Sequence, residues 1–349
     1  MPRRRRTTAG SPRPVVTIKD VAELAGVSTA TVSRALTSPD SVSEERAAKV
    51  QAAARELNYK PNRVARSLRW RESRTVGVVI PDIENPYFST VICGIEDILL
   101  PADYCLLLAH YQDSPKREQV MLETLCGEGV AGLIFTPSVA PSRLYREMIE
   151  GSVASVALTR KPDDLAVDTV CVASFEGACR GVKHLLDLGH ERIALLLGPM
   201  ASSTGRERLA GYRAAFAERG RKVPEDLIAI GDWKQEWSYR EAGALLDRPN
   251  PPTAVFTGGN MLTLGALQAI HERRLDIPRQ VALVGFDDLP WAASLRPSLT
   301  VVAYDTREMG RRAARLLLRR MAEPEGEVVV EEFATQLIVR ASCGAQWDW

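Results

Sequence analysis

The stretch TIKDVAELAGVSTATVSRAL, residues 17–36, decides how this chain is read. Thr17 precedes Ile18 with Asp20 three residues on, an N-cap with its acidic partner. A helix is therefore predicted from Ile18 to Ala25, stopped by Gly26. Ser28 caps a second helix, Thr29 to Leu36. Farther on, Ser43 with Glu44 and Glu45 in the first turn opens a third, which ends near Leu57 before Asn58 and Pro61. Val21, Leu24, Val27, Val32, Leu36, Val50 and Leu57 recur at helical spacing and are expected to share one small core.

Two short helices around a glycine turn have the layout of a helix-turn-helix, whose second helix enters the major groove of DNA. Thr29, Ala30 and Arg34 then face base edges, and Thr31 and Ser33 reach phosphates. Thr17 and Ser28, at the helix starts, complete the candidate DNA surface. Arg34 is the strongest base reader, because its fork matches guanine O6 and N7, a contact worth about 1–3 kcal/mol of discrimination. A plain three-helix module with surface threonines is the competing reading.

Charge favours the first reading. The 349 residues carry 45 basic and 44 acidic groups, but residues 1–75 hold 16 against 7 and the remainder 29 against 37. A basic head on an acidic body is an electrostatic footprint for nucleic acid, although basic segments are also often solvated faces. Arg3 to Arg6, with Pro2, Pro12 and Pro14, make residues 1–14 a predicted disordered basic arm. No apolar run approaches the roughly 18 residues of a membrane span, and no apolar stretch follows the charged start as in a signal peptide. A cytoplasmic protein is expected. Six cysteines without CxxC or Cys/His spacing read as reduced and buried, with no metal site and no cofactor.

Together with Val42-Ser43 and ELNYKPNRVARSL at 56–68, the opening stretch resembles the DNA-binding head of the LacI/GalR family of bacterial transcriptional regulators. The resemblance implies a hinge helix over about Asn62 to Arg69 that folds when two subunits sit together on operator DNA. It also implies that Leu68 wedges into the minor groove at the operator centre. Such a wedge kinks a base step, and Arg63, Arg66 and Arg69 around it would contact phosphates. The expected division is an arm (1–14), a helix-turn-helix domain (15–60), a hinge and linker (61–73), and an effector-binding and dimerisation domain (74–349).

From Thr75 the pattern alternates. Strands are predicted at Val76 to Ile80, Tyr104 to Ala109, Ala131 to Phe135, Val153 to Leu158, Ile193 to Leu197, Leu227 to Ile230, Ala254 to Thr257 and Val281 to Phe286. Helical stretches between them include Ser89 to Leu99, Lys116 to Cys126, Phe175 to Leu188, Glu207 to Arg219 and Leu262 to Arg273. This predicts doubly wound parallel sheets covered on both faces, in two α/β subdomains. The body resembles the periplasmic-binding-protein-like core of the same family, through GVKHLLDLGH (181–190), IALLLGP (193–199), RLAGY (208–212), PTAVF (252–256), VGFDD (284–288), PSLT (297–300) and LIVRAS (337–342). The resemblance places an N-subdomain at 74–173 plus 302–331 and a C-subdomain at 174–301 plus 332–349. No leucine-heptad tail follows the last strand, so a homodimer is expected.

Ligands of open α/β sheets bind beyond the carboxyl ends of the strands. Candidates there are Tyr87, Phe88, Ser138, Arg160, Thr204, Arg208, Trp233, Asp287 and Trp291. The resemblance implies that Arg208 and Asp287 bind an effector and that Phe88 and Trp233 stack on it. Where many sugar-responsive relatives carry Asp-Asn and Asn-Asp, this chain has Val172-Ala173 and Gly259-Asn260, two hydrogen-bonding positions that read as apolar or empty. With Arg160 and Arg208 nearby, a sugar acid or related carboxylate is the expected variation on a sugar. No nucleotide-binding, zinc-protease or serine-hydrolase motif occurs, so no enzyme is expected. A solute-binding protein or sugar-processing enzyme sharing the body is the alternative. The head and the missing export signal argue against it.

Overall fold

A computed structural model describes residues 16–37, 41–59, 73–138, 143–151 and 153–345. The expected basic arm, the hinge positions Asn62, Arg63, Arg66 and Leu68, and the tail from Gln346 lie outside the described residues. The chain divides into two compact units, one within residues 1–72 and one within 73–349.

The first unit has three helices, α1 (Ile18–Ala25), α2 (Thr29–Thr37) and α3 (Glu44–Glu56). Thr17 donates to Asp20 Oδ2 through its amide at 2.6 Å and its hydroxyl at 2.8 Å. Gly26 ends α1 at φ +65°, a left-handed conformation that glycine adopts without strain. Ser28 Oγ accepts from the Thr31 amide at 3.1 Å and starts α2. Val21, Ala22, Val32, Ala35, Val50 and Ala53 form the core, with Val27, Leu36, Val42 and Leu57 packed around it. Leu24 is a correction: it is 46% exposed. Three helices this short close on their small residues, and the alanines take the place the leucine was expected to fill.

The second unit contains two six-stranded sheets. The first, in the order β11-β5-β4-β3-β1-β2, joins β1 (Thr75–Ile80), β2 (Cys105–His110), β3 (Gly132–Phe135), β4 (Ala154–Thr159), β5 (Asp168–Val172) and β11 (Val330–Phe333), all parallel. The second, in the order β12-β10-β9-β8-β6-β7, joins β6 (Ile193–Leu197), β7 (Ile228–Ile230), β8 (Ala254–Thr257), β9 (Ala282–Phe286), β10 (Thr300–Ala303) and β12 (Gln336–Ile338). Its β12 runs antiparallel to β10, an edge that the expectation of parallel sheets did not contain.

Helices α4 (Pro86–Leu99), α5 (Pro115–Gly127), α6 (Arg143–Glu150) and α11 (Thr306–Ala322) accompany the first sheet; α7 (Ser174–Asp187), α8 (Ser203–Glu218), α9 (Gln235–Leu246) and α10 (Asn260–Glu272) accompany the second. The central strands β3, β5, β6, β8, β9 and β10 are buried along their whole length, as parallel strands covered on both faces must be. The chain crosses between the sheets three times, after β5, after β10 and after β11. Pairing puts Val302 and Ala303 on the second sheet and Glu332 and Phe333 on the first, two residues beyond the expected crossings. Helices α4 and α11 pack through facing glycines: a Cβ on Gly94 would lie 2.0 Å from the Arg307 carbonyl oxygen, and one on Gly310 2.1 Å from that of Val91.

Candidate functional site

On the first unit, Ala30 and Arg34 are exposed and stand four residues apart on one side of α2. Thr29, Thr31 and Ser33 are half-buried, and the hydroxyls of Thr17, Ser28 and Thr31 are engaged in the helix caps. Arg34 Nε lies 3.5 Å from the Ala30 carbonyl, so the guanidinium rests along the exposed edge of its own helix.

Within the second unit the carboxyl ends of both sheets meet at a cavity of about 70 Å³. Its walls are residues at strand ends or in the loops and helices that follow them: Asn85, Tyr87 and Phe88 after β1, Asp113 after β2, Thr159 and Arg160 at the end of β4, and Thr204 and Arg208 in the helix after β6. Trp233 follows β7, Asn260 follows β8, Asp287 follows β9 and Tyr304 follows β10. Seven of the nine expected ligand residues are therefore brought together.

Ser138 and Trp291 are not among them. The amide of Ser138 donates to Glu118 Oε1 at 2.9 Å and its hydroxyl to Glu118 Oε2, because a buried carboxyl needs hydrogen-bond donors in place of water. Tyr145 supplies a third, at 2.7 Å. Trp291 packs with Ala292 and Leu295 on the outer core of the second sheet.

Arg208 is 4% exposed, yet among the described residues no carboxylate lies within 4.0 Å of it. Its guanidinium sits 3.6 Å from the Phe286 ring centroid and 5.8 Å from that of Trp233. It donates to the Gly258 carbonyl, and its Nε is buried without a partner. Arg160 is different: it pairs with Asp113 at 3.1 Å and reaches the Pro137 carbonyl at 3.2 Å, so its charge is already compensated. Asp287 accepts from the Tyr304 hydroxyl at 2.7 Å and from the Asn260 amide at 3.3 Å.

Tyr87, whose hydroxyl lies 2.8 Å from Thr159 Oγ1, has its pKa pushed up to about 12 by burial. Burial, then the Asp287 charge, holds Tyr304 well above the ordinary phenol value. Both phenols thus stay protonated donors. Thr159 and Asp287 have φ of +69° and +74°, and Asp113 +52°. Non-glycine residues, a β-branched threonine above all, rarely take such angles, and this strain gathers at the cavity.

Sequence reasoning missed Asn85, Asp113, Thr159, Asn260 and Tyr304. Position 260 is a correction, since Asn260 lines the cavity and its amide donates to Asn85 Oδ1 across it at 2.7 Å. Val172 is core, as expected of an apolar residue there. Each missed residue follows a strand end, which was the available signal; for Tyr304 that strand, β10, was itself not predicted.

Residues 17–62 match the family model "Bacterial regulatory proteins, lacI family", and residues 182–343 match "Periplasmic binding protein-like domain". The ribose operon repressor of Escherichia coli (strain K12) is 35% identical over 312 residues, covering 89% of this chain and 94% of the relative. The chain belongs to the LacI family.

The HTH-type transcriptional repressor PurR of Escherichia coli O139:H28 (strain E24377A / ETEC) is 34% identical over 330 residues, 94% of this chain and 97% of the relative. The crystal structure of the Lac repressor dimer bound to operator and the anti-inducer ONPF matches with a TM-score of 0.82 at 28% identity, over 94% of this chain and 99% of that one. As a LacI-family member the chain is an effector-controlled, DNA-binding repressor that acts as a dimer on operator DNA. No helix among the described residues is long and apolar enough to cross a membrane.

The cysteines depart from expectation. Cys171, Cys179 and Cys343 are buried, but Cys93 and Cys126 are exposed. Of the histidines, His184 Nε2 packs 3.2 Å from Cys343 Sγ and His190 Nδ1 lies 3.0 Å from Thr253 Oγ1, so both serve local packing.

Proposed function

We propose that the cavity is the effector site of this LacI-family repressor, and that its ligand is a compact hydroxyl-bearing metabolite, a sugar or sugar acid. Arg208 carries the reading. A buried guanidinium without a carboxylate partner, facing Asp287 across aromatic walls, is built to be completed by a ligand's oxygens. Asp287 takes hydroxyl donors, Thr204 adds a short hydroxyl, and Phe88 and Trp233 supply flat apolar faces. With Arg160 spent on Asp113, the buried cation left for a ligand anion is Arg208, with the exposed Lys234 also lining the cavity, and Asp287 keeps neutral sugars in range. One relative's name makes D-ribose the first compound to test.

The cavity of about 70 Å³ is under half the roughly 150 Å³ void that takes up benzene, so a sugar-sized molecule enters by parting the two subdomains. That motion couples the site to DNA. A ligand that favours one subdomain angle shifts operator affinity by its differential affinity for the two arrangements. On the DNA side we assign Arg34, with Thr29 and Ala30, to base edges, Ser28, Thr31 and Ser33 to phosphates, and Leu68 to the operator centre. The protein then works in the cytoplasm, and no catalysis is assigned to it.

The test joins a gel shift on DNA upstream of its own gene with a thermal-shift screen of D-ribose, other sugars and sugar acids, because a ligand of the native state raises the melting temperature by mass action. Arg208→Ala is expected to abolish ligand stabilisation and leave effector-free operator binding intact; Leu68→Ala is expected to do the reverse. An Arg208→Ala protein with unchanged ligand stabilisation overturns the assignment.

A further inference from the structure

The loop after β4 meets the first turn of α8 outside the cavity. The Lys161 amide donates to Ser203 Oγ at 2.8 Å, and Ser203 is 6% exposed. Lys161 Nζ sits between Glu332 on β11, at 2.9 Å, and Glu207 on α8, at 3.3 Å. Asp163 pairs with Arg206 at 2.5 Å. The loop belongs to the first subdomain and α8 to the second, so the Lys161 to Ser203, Lys161 to Glu207 and Asp163 to Arg206 contacts all cross the mouth of the cleft.

The geometry of α8 links these contacts to the ligand. Thr204 and Arg208, one turn apart, line the cavity, while Ser203, Arg206 and Glu207 turn to the facing loop. On the loop, Arg160 lines the cavity while Lys161 and Asp163 hold α8. The same two short segments thus carry both sets of residues, and neither set separates without moving the other.

We infer that Lys161 and Asp163, docked on Ser203, Arg206 and Glu207, form a latch that sets how readily the cleft closes. These five are positioning residues: they tune effector affinity without touching the effector. This rests on the effector-site reading above. A contact made only in the closed form raises the closed fraction, and a ligand that requires closure binds in proportion to that fraction. The Asp163–Arg206 pair is 58% and 41% exposed, so it contributes a bias of only about two- to five-fold. The part-buried Lys161 to Ser203 bond adds a contribution of the size of an ordinary hydrogen bond, since opening exchanges it for bonds to water.

Hydrogen exchange by mass spectrometry on the full chain tests the latch without any ligand. Asp163→Asn leaves Arg206 on its other acceptors, the Met200 and Ala201 carbonyls, and Ser203→Ala leaves the true helix cap, Ser202, in place. In the double variant, peptides covering 159–164 and 200–208 are expected to exchange roughly three- to ten-fold faster, with β3 and β8 unchanged. The charge swap Asp163→Arg with Arg206→Asp is expected to restore protection that Asp163→Arg alone loses. Unchanged exchange in both peptides overturns the latch, as does equal acceleration in β3 and β8, which marks unfolding rather than opening. With D-ribose as probe, a wild type that it stabilises should lose three- to ten-fold in affinity in the double variant, and equal affinity would overturn the latch's role. Absence of ribose binding to wild type counts against the pentose reading alone, and the exchange result still decides the latch.

Discussion

Trp233 owes its place to a residue that never touches a ligand. A Cβ at Gly198 would lie 2.1 Å from Trp233 Cε2, 2.3 Å from Cδ2 and 2.5 Å from Cζ2, so the indole and an added methyl cannot share that space. Gly198→Ala is therefore expected to expel the indole from the cavity wall, lowering stability by about 1–3 kcal/mol and weakening ligand binding; urea unfolding and tryptophan fluorescence read both. Glu118 gives a pH signature. Burial raises its pKa, against the bonds from Ser138 and Tyr145, so the folded chain keeps a proton that the unfolded chain has released. Its contribution to stability is complete below the unfolded value of about 4.3 and is lost as pH rises through the raised folded value. Glu118→Gln should remove that loss, so urea midpoints compared from pH 4 to 7 should fall less in the variant than in wild type. The single-residue chemistry of Arg208 and Asp287 was legible in the sequence because Asp287 directly follows a strand and Arg208 lies near the start of the helix after one. The pairing of Arg160 with Asp113 was not, since it joins positions 47 residues apart.

At the level of elements, the capped helices and most buried strands were readable because caps and apolar runs are local signals, whereas the buried β5 and β10, short and rich in threonine and valine, were not. Nor was helix α11. Its sequence TREMGRRAARLLLRRMA holds six arginines, and apart from Glu308, which pairs with Arg311 and Arg315 inside the helix, its acids lie elsewhere in the chain. Arg307 and Arg311 meet Asp97 at 2.8 Å, Arg312 meets Glu331 at 2.7 Å, and Arg320 meets Asp168 at 2.9 Å. Only once α4, β5 and β11 stand beside it does the helix become a packed and neutralised element. Asp168 is the sharpest case: it is 1% exposed and also accepts the Val329 amide at 2.7 Å. Asp168→Ala leaves Arg320 with carbonyl partners alone and that amide unpaired, and is expected to cost about 3–5 kcal/mol, measured as a lower urea midpoint at unchanged slope. Leu24 shows the reverse error, an apolar residue at helical spacing that three small helices had no room to bury.

For the whole molecule, the charge division has a measurable consequence. Operator binding through a basic head releases counterions, so raising salt from 50 to 200 mM is expected to weaken it by roughly 10³-fold or more if six to ten phosphates are contacted. Effector binding in a cavity should change little over that range, and a salt titration of each separates the two. Linkage adds a second check, since the factor by which effector alters operator affinity must equal the factor by which operator alters effector affinity. The sequence by itself determined the two-part plan: a capped helix-turn-helix with net positive charge, followed by alternating strands and helices whose loops bear a polar site. Caps, periodicity and charge act within a few residues, so one dimension contains them. The tertiary structure alone decided which candidates share a cavity, that Arg160 is neutralised and Arg208 is not, and that the loop at Lys161 crosses to α8. Those outcomes depend on distances between residues far apart in the chain, and only the folded sheets bring them within reach of one another.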